Sequence, residues 1–214
     1  MKDTFRHKGL RKILVDKLRE KGISNEKILD MINKIPRHLF MDNAFIQFAY
    51  QDKAFPIGSG QTISQPYTVA FQTQLLDLNP YDKVLEVGTG SGYQTAVLVG
   101  MEGNVYTIER QKELFIKTKV FLPTLGYNCN FYYGDGYNGL NKFAPFDKII
   151  VTCGASEIPS ELINQLKIGG SLVAPIGASD IQEMHLIKKL SKNDTQITKH
   201  GKFSFVPMLS DKSN

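Results

Sequence analysis

The stretch VLEVGTGSGYQ, residues 84–94, decides the fold of this chain. It opens on apolar residues typical of a buried strand, and Gly88, Gly90 and Gly92 follow before a helix-like segment. Glycines at such a junction let backbone N–H groups approach a ligand at a helix N-terminus. The spacing is G-x-G-x-G and differs from the G-x-G-x-x-G of dinucleotide-binding proteins, and Tyr93 fills a position that must be small there. The stretch therefore predicts a ligand site that disfavours nicotinamide cofactors.

Two acidic residues follow later strands of the same pattern. Glu109 comes twenty-one residues after Gly88, at the end of the next predicted strand, where a carboxylate can accept both hydroxyls of a ribose. Asp135, inside Gly134-Asp135-Gly136, follows a third strand and can accept from an adenine amino group. A tight glycine turn with solvated acids explains any one of these motifs. Three at successive strand ends instead indicate an S-adenosylmethionine site of a class I methyltransferase.

Strands and helices alternate through the middle of the chain. Such alternation predicts a doubly wound, mostly parallel α/β sheet, because each parallel pair needs a right-handed crossover. The predicted strands are 83–87, 104–108, 130–133, 148–152 and 171–175, and the predicted helices are 92–101, 113–125 and 160–166, the last closed by Gly169-Gly170.

The two ends of the chain differ from this core. Residues 5–35 are helical in pattern, with Ser24 as the cap of a second helix, and a further helix is expected from Pro66 to about Asn79. Residues 50–65 predict a long ordered loop or short strands, and the alternation after Glu183 predicts an antiparallel hairpin. We expect one domain over 1–214: N-terminal helices and a substrate loop in 1–80, a cofactor-binding core in 81–180, and the hairpin in 181–214.

Composition limits the class of protein. The chain has 214 residues, of which 42% are hydrophobic and 22% charged, as in an ordinary globular protein and unlike a disordered one. No uncharged apolar run approaches the ~18 residues that span a bilayer, and no targeting segment is visible, so a cytoplasmic location without membrane partners is expected. Cys129 and Cys153 lack ligand spacing, which predicts buried thiols and no metal site.

The net charge of +5 comes from one part of the chain. Residues 1–53 hold 12 basic and 7 acidic side chains, and the remainder holds 14 of each. The excess fits a solvated helix face, since acids are interspersed and stacking aromatics are lacking, but it also fits a nucleic-acid footprint or an acidic substrate. A methyltransferase acting on RNA or a small amine, and a cofactor-binding protein without activity, therefore stay as alternatives.

The segment AYQDKAFPIGSGQTISQPYTVA, residues 49–70, closely resembles the signature of the protein-L-isoaspartate (D-aspartate) O-methyltransferases. The resemblance runs nearly end to end. It departs from the family pattern at Leu140, Cys153, Gly154 and Met208, which form parts of the predicted pocket wall. Further matching segments are PRHLF at 36–40, VLEVGTGSGYQTAVL at 84–98, GDG at 134–136, PFDKIIVT at 145–152, IPSELINQLKIGGSLVAPIG at 158–177 and FVPM at 205–208.

This resemblance implies a fold, an activity and partners. Family members have the Rossmann-like class I fold and transfer a methyl group from S-adenosylmethionine to the free carboxylate of isoaspartyl and D-aspartyl residues, which begins the repair of damaged proteins and leaves S-adenosylhomocysteine. We accordingly expect isoaspartyl proteins and peptides as substrates, no nucleic acid, no metal and a monomer. A carboxylate is ionised at neutral pH, so its methylation needs no general base.

The resemblance also implies roles for residues. Ser64 and Thr62 are expected to orient the accepting carboxylate at the start of the Pro66 helix, whose N–H groups favour an anion. The residues alone favour Ser64 or Gln65 as a helix cap, and the family motif reverses this preference for Ser64. His38, Tyr50 and Asp52 are expected to be structural. The remaining expected contacts are Ile63, Phe205, Val206 and Pro207 for the substrate, and Glu86, Gly88, Thr89, Gly90, Ser91, Gly92, Glu109, Asp135, Gly136 and Thr152 for the cofactor.

Overall fold

The structure is a computed structural model, and it describes residues 2–213. Six α-helices and nine strands alternate with short 3₁₀ turns. The helices are α1 (Phe5–Glu20), α2 (Glu26–Lys34), α3 (Pro66–Leu76), α4 (Tyr93–Gly100), α5 (Lys112–Thr124) and α6 (Ser160–Asn164). The strands are β1 (Phe55–Gly58), β2 (Gln61–Ile63), β3 (Lys83–Val87), β4 (Asn104–Glu109), β5 (Asn130–Tyr133), β6 (Phe146–Val151), β7 (Leu166–Ile176), β8 (Gln182–Lys189) and β9 (Thr195–Phe203).

Seven strands form the central sheet, in the order β5-β4-β3-β6-β7-β8-β9. The first five of these pair in parallel, and β7, β8 and β9 pair antiparallel. Strand β3 lies inside the sheet and is almost entirely buried, and its apolar residues Val84, Leu85 and Val87 belong to the core. The predicted doubly wound sheet with a C-terminal hairpin is confirmed.

The N-terminal helices pack together over one part of the core. Leu14 and Leu18 of α1 and Ile28 and Ile32 of α2 are each at most 1% exposed and share one hydrophobic cluster. Strands β1 and β2 form a separate two-stranded hairpin within residues 50–65, in agreement with the prediction of short strands there. Among residues 2–213, no helix combines the length and apolar character needed to cross a membrane.

Three predicted helix ends are wrong. Asn25 caps α2, because its Oδ1 accepts from the N–H groups of Lys27 and Ile28, whereas the N–H of Ser24 donates to Gln74. Helix α3 stops at Leu76, three residues before Asn79, because Asp77 turns left-handed with φ 52°.

The third error concerns the glycine pair after α6. The helix ends at Asn164, and Gly169-Gly170 lies inside β7 instead of closing the helix. Gly169 has φ +83°, and the pairing of β6 with β7 shifts register here, so this pair belongs to a strand irregularity. Sequence alone did not separate this strand use of a glycine pair from a helix stop.

Two further predictions are corrected: that the basic excess lies on a solvated helix face, and that both cysteines are buried. Arg11 is 3% exposed and Arg37 is 0% exposed, so the basic excess of the N-terminal quarter is not entirely a solvated face. Cys129 and Cys153 are free thiols that are only partly buried, and partial burial raises the pKa of each to about 12. Both thiols are therefore protonated at neutral pH.

Candidate active site

A cavity lies at the carboxyl end of β3, around the loop of Gly88, Gly90 and Gly92; we call it the glycine-loop cavity. Gly88 must be glycine here, because its φ is +99° and an added Cβ would lie 2.5 Å from the hydroxyl oxygen of Thr152. The cavity is lined by Gln61, Thr62, Ile63, Ser64, Val69, Val87, Gly88, Thr89, Gly90, Ser91, Tyr93, Gln94, Ile108, Glu109, Arg110, Gly136, Thr152, Cys153, Val206, Pro207, Met208 and Leu209.

Glu109 holds one wall of the glycine-loop cavity. Its side chain is 5% exposed, and its two carboxylate oxygens accept from the N–H groups of Gly90 and Gln111, both at 2.8 Å. Burial raises its pKa, and these hydrogen bonds oppose that rise. Each oxygen keeps a second lone pair, so the carboxylate can still accept from ligand hydroxyls.

Glu86 does not line the cavity, contrary to expectation. Its side chain is 0% exposed and lies beneath the loop, where Thr95 of α4 donates to one carboxylate oxygen at 2.6 Å. The other oxygen has no partner among the described residues, and burial raises the pKa of Glu86 to about 8. Glu86 is therefore mostly protonated at neutral pH and supports α4, so its assignment as a direct cofactor contact is corrected.

Asp135 also stands outside the cavity lining, whereas its neighbour Gly136 is part of it. One carboxylate oxygen accepts from the N–H of Tyr137 at 2.9 Å and the other from the N–H of Asp211 at 3.0 Å. Both oxygens thus bind the chain's own backbone. Its contact with an adenine amino group stays a prediction.

A second depression, which we call the outer groove, adjoins the glycine-loop cavity. Four residues line both: Thr62, Ser64, Thr152 and Val206. We call this shared boundary the junction. The outer groove is further lined by Lys21, Ala54, Gln65, Tyr67, Thr68, Phe71, His200, Gly201, Lys202, Phe203, Ser204 and Phe205.

Ser64 lies at the junction with its hydroxyl uncommitted. Within residues 2–213 this hydroxyl has no hydrogen-bond partner, and its backbone carbonyl accepts from Arg37 at 3.1 Å. The first residue before α3 is Gln65, whose side chain also makes no capping bond to the helix. The cap interpretation of Ser64 and Gln65 is therefore wrong, and the hydroxyl of Ser64 is available to a ligand.

Asp52 supplies the cap of α3 from a distance in sequence. Its Oδ1 accepts from the N–H of Tyr67 at 2.8 Å, and its Oδ2 accepts from Gln65 and from the ammonium of Lys21. The end of the helix that was expected to hold a substrate anion is thus occupied by the chain's own carboxylate. Asp52 has the structural role expected of it.

Arg37, in the PRHLF segment, was not singled out by sequence. It is 0% exposed and donates to the backbone carbonyls of Ala49 at 2.7 Å, Lys53 at 3.0 Å and Ser64 at 3.1 Å. Burial lowers its pKa to about 10, so it remains charged at neutral pH. One guanidinium therefore fixes both ends of the loop that carries Ser64.

His38 has a structural environment, as expected. It is 0% exposed, and its Nδ1 lies 2.5 Å from the hydroxyl of Tyr50, which also accepts from Arg11 at 3.1 Å. The Tyr50 oxygen has two lone pairs, so this contact is compatible with donation by the Tyr50 hydroxyl or by Nδ1–H of His38. Burial, together with the neighbouring His7, lowers the pKa of His38 to about 4.

Asp3, His7 and His38 bring possible metal-ligand atoms within 4.8 Å of one another. Arg11 already donates to both carboxylate oxygens of Asp3, at 2.8 and 2.7 Å, and lowers its pKa. The cluster is thus accounted for by internal hydrogen bonds and ion pairing, and we assign no metal to it.

The expected substrate residues divide between the two spaces. Phe205 lines the outer groove, Val206 lies at the junction, and Ile63 and Pro207 line only the glycine-loop cavity. Sequence analysis missed Tyr67, Phe71 and Phe203, whose rings stack along the outer groove with centroids 5.2 to 6.4 Å apart. The alternation that predicts β9 contained a signal for Phe203 alone.

Comparison with known proteins identifies the family. Residues 9–213 match the family model of protein-L-isoaspartate(D-aspartate) O-methyltransferase. A protein-L-isoaspartate O-methyltransferase of Flavobacterium psychrophilum is 59% identical over 100% of both chains. The chain belongs to the protein-L-isoaspartate O-methyltransferase family. The family resemblance expected from residues 49–70 is thereby confirmed.

Solved structures of protein-L-isoaspartate O-methyltransferases share the fold. One has a TM-score of 0.83 at 30% identity, covering 92% of this chain and 65% of that chain. Another, described as that enzyme from Plasmodium falciparum in complex with S-adenosyl-L-homocysteine, has a TM-score of 0.79 at 25% identity and covers 93% and 98% of the two chains. The class I fold of this protein-L-isoaspartate O-methyltransferase family member is confirmed.

Proposed function

We propose that the chain transfers a methyl group from S-adenosylmethionine to the free carboxylate of isoaspartyl, and also D-aspartyl, residues in damaged proteins and peptides. The observation that carries this proposal is the junction. The glycine-loop cavity and the outer groove meet at two hydroxyl side chains, Thr62 and Ser64, within the motif typical of the family. A cofactor in the cavity and a peptide in the groove would meet there.

The glycine-loop cavity suits S-adenosylmethionine. Gly88 and Gly90 bring backbone close to the cavity, Glu109 offers acceptors for ribose hydroxyls, and Gly136 gives room beside Val87. Gly92 lies outside the cavity lining, and an added Cβ there would lie 2.7 Å from Thr118 and 2.8 Å from Leu122 of α5, so its expected cofactor contact stays a prediction. We propose Thr89, Ser91 and Thr152 as further contacts and Asp135 for the adenine. When bound, the cofactor supplies an electrophilic methyl group on a sulfonium.

Ser64 and Thr62 would orient the accepting carboxylate by donating hydrogen bonds to its oxygens. The nucleophile is the carboxylate itself, which is ionised well above its reference pKa of about 4, so no base is required. Catalysis then depends on alignment, which can contribute roughly 7 to 11 kcal/mol. His38, buried against Tyr50, does not line the junction and takes no part in this step.

The outer groove would hold the flanking residues of the substrate. Phe205 and Val206 follow β9, the edge strand of the sheet, and Pro207 continues beyond them toward the glycine-loop cavity. Ile63 is 3% exposed and lines the glycine-loop cavity between Thr62 and Ser64, and we propose it as a further substrate contact. We propose Phe205, Val206 and Pro207 as the rim against substrate backbone.

We further propose that the chain is a single domain that acts as a monomer in the cytoplasm and needs no metal. We also propose that it acts on proteins and does not bind nucleic acid or membranes. The clusters that include α1, α2, α3 and α4 share partners such as Phe71 and Leu78 with the sheet, which supports one folding unit. Burial of Arg11 and Arg37 reduces the cationic surface that a nucleic acid would require.

A paired-peptide assay tests the proposed activity. Two peptides of the same sequence, one with isoaspartate and one with aspartate, are incubated with S-adenosylmethionine labelled on its methyl group, and RNA serves as a third acceptor. We expect label in the isoaspartyl peptide alone, at initial rates that stay flat from about pH 5.5 to 8 when the reaction is quenched in acid. Equal labelling of both peptides, labelling of RNA, or cofactor binding without turnover would contradict it.

A further inference from the structure

The last residues of the chain cross the mouth of the glycine-loop cavity. We call residues 206–213 the C-terminal strap. Near its start, the carbonyl of Val206 accepts from the N–H of Gly154 at 2.8 Å, and the N–H of Met208 donates to the carbonyl of Gly154 at 2.7 Å. Met208 is 8% exposed and packs into the core beside Gly136. This end of the strap is fixed by backbone pairing and burial.

The distal end is held mainly by side chains. Arg110 donates to the carbonyls of Asp211 at 2.8 Å and Ser210 at 3.2 Å, and Asp135 accepts from the N–H of Asp211. Ser213 donates to the carbonyl of Arg110 and to the side chain of Gln111. Ser210, Asp211 and Lys212 are exposed, so little apolar burial holds this end in place.

The order of the strands shows what the strap covers. Gly154 follows β6, Arg110 follows β4 and Asp135 follows β5, whereas β3, with the glycine loop at its end, lies between β6 and β4. A segment tied to β6 at one end and to β4 and β5 at the other must pass over the end of β3. Val206, Pro207, Met208 and Leu209 line the glycine-loop cavity accordingly.

We propose that the C-terminal strap is the gate for cofactor exchange, and that Arg110 is the positioning residue that keeps it closed. The proposal rests on the assignment of the glycine-loop cavity to S-adenosylmethionine. Arg110 directly follows Glu109, the proposed ribose ligand, and Asp135 precedes Gly136 of the cavity wall. The groups that hold the strap are therefore neighbours of those that hold the cofactor, so strap closure and cofactor binding are coupled.

The product, S-adenosylhomocysteine, has to leave after each methyl transfer. In this proposal the distal end of the strap lifts to release the product, because the proximal end is fixed by burial of Met208 and by backbone pairing with Gly154. Two hydrogen bonds from the charged guanidinium of Arg110 oppose that motion, and loss of even one such bond changes an equilibrium about tenfold. Arg110 thus lengthens the time that the product stays bound.

The dissociation rate of S-adenosylhomocysteine, measured by stopped-flow displacement without any peptide, tests the proposal. We expect Arg110→Ala to raise this rate about 10-fold or more, and Arg6→Ala, which removes an exposed guanidinium of α1, to leave it unchanged. A chain ending at Leu209 lacks the distal strap and should reproduce the rise. Adding Arg110→Ala to that truncated chain should give no further increase.

Three results would overturn the proposal. A truncated chain that releases product at the wild-type rate would show that the strap is no gate. A full effect of Arg110→Ala in the truncated chain would show that Arg110 acts on the cofactor directly. Absence of binding by the unaltered protein would overturn the cavity assignment as well, whereas failure to methylate peptide would leave these release rates untouched.

Discussion

The glycine-loop cavity and the outer groove are built in different ways. The cavity collects residues at or just after the carboxyl ends of neighbouring strands, among them Gly88, Gly90 and Gly136. The outer groove joins Lys21, which follows α1, to side chains from the β1–β2 region, α3 and the end of β9, and its shape depends on Arg37 and Asp52 behind it. The first construction follows from the order of strands, whereas the second depends on a few long-range contacts.

The largest expected effect is on the outer groove side. Arg37→Ala removes the donor to three backbone carbonyls in the loop between Ala49 and Ser64, and these groups are left without that partner in a buried site. We expect a loss of about 3 to 5 kcal/mol in the free energy of unfolding, measured by urea denaturation. Arg37→Lys keeps the positive charge but lacks the planar set of N–H donors of the guanidinium, so it should be more stable than Arg37→Ala and less stable than the unaltered protein. Unchanged stability of Arg37→Ala would show that the loop is held by other contacts.

The second prediction concerns the pH dependence of folding stability that His38, which contacts Tyr50 of the same loop, should cause. His38 has a pKa of about 4 in the folded protein and a reference value of 6.5, so the unfolded state binds more protons between these values. Folding stability should therefore fall as the pH drops below about 6.5, and the loss from His38 should be complete near pH 4 at about 3 kcal/mol. His38→Gln should remove this part of the stability loss at acidic pH, whereas His200→Gln should leave it unchanged. The measurement is urea denaturation at several pH values.

Glu109→Ala tests the cavity side. The variant loses the acceptors proposed for both ribose hydroxyls, and we expect S-adenosylmethionine binding to weaken by about 2 to 3 kcal/mol in calorimetry. Glu20→Ala, at an exposed carboxylate of α1, should bind as the unaltered protein does. Undiminished affinity in Glu109→Ala would refute the ribose assignment.

Ser64→Ala gives the smallest change in free energy but the clearest separation of the two regions. Its free hydroxyl contributes no internal hydrogen bond within the described chain, so thermal stability and cofactor affinity should be unchanged. Turnover of an isoaspartyl peptide should fall roughly 10- to 30-fold, as expected for one hydrogen bond to a charged oxygen. Ser204→Ala, in the outer groove but away from the junction, should retain turnover. A loss of stability with full turnover would return Ser64 to a structural role.

The same contrast explains what sequence could predict. Gly88, Glu109 and Gly136 line the cavity as expected, because each lies at or shortly after the carboxyl end of a parallel strand and such strand ends share one edge of the sheet. Glu86 was misassigned because the motif does not indicate which face of β3 its side chain occupies. Register within the sheet places it beside Thr107 of β4, under the loop.

The outer groove was predictable only where the family motif reached. The family motif predicted Ser64 and Thr62. The capping of α3 by Asp52, however, joins it to Tyr67, 15 residues away, and the hydrogen bond from Arg37 to the carbonyl of Ser64 spans 27 residues. No periodicity signals such contacts. The stop of α3 at Leu76 likewise depends on the left-handed turn at Asp77, for which the chain offers no glycine.

The carboxylate of Asp52 at the start of α3 has a consequence for selectivity. An open helix N-terminus beside the junction would attract phosphate and every ordinary aspartate or glutamate side chain, all of which vastly outnumber damaged residues in a cell. With that position filled from within, the junction offers a small anion only a few hydroxyl donors. On the proposed role of Ser64, discrimination would come from whether the extra methylene of an isoaspartyl backbone lets the carboxylate reach that hydroxyl, and undamaged proteins would then be poor competitors even in large excess.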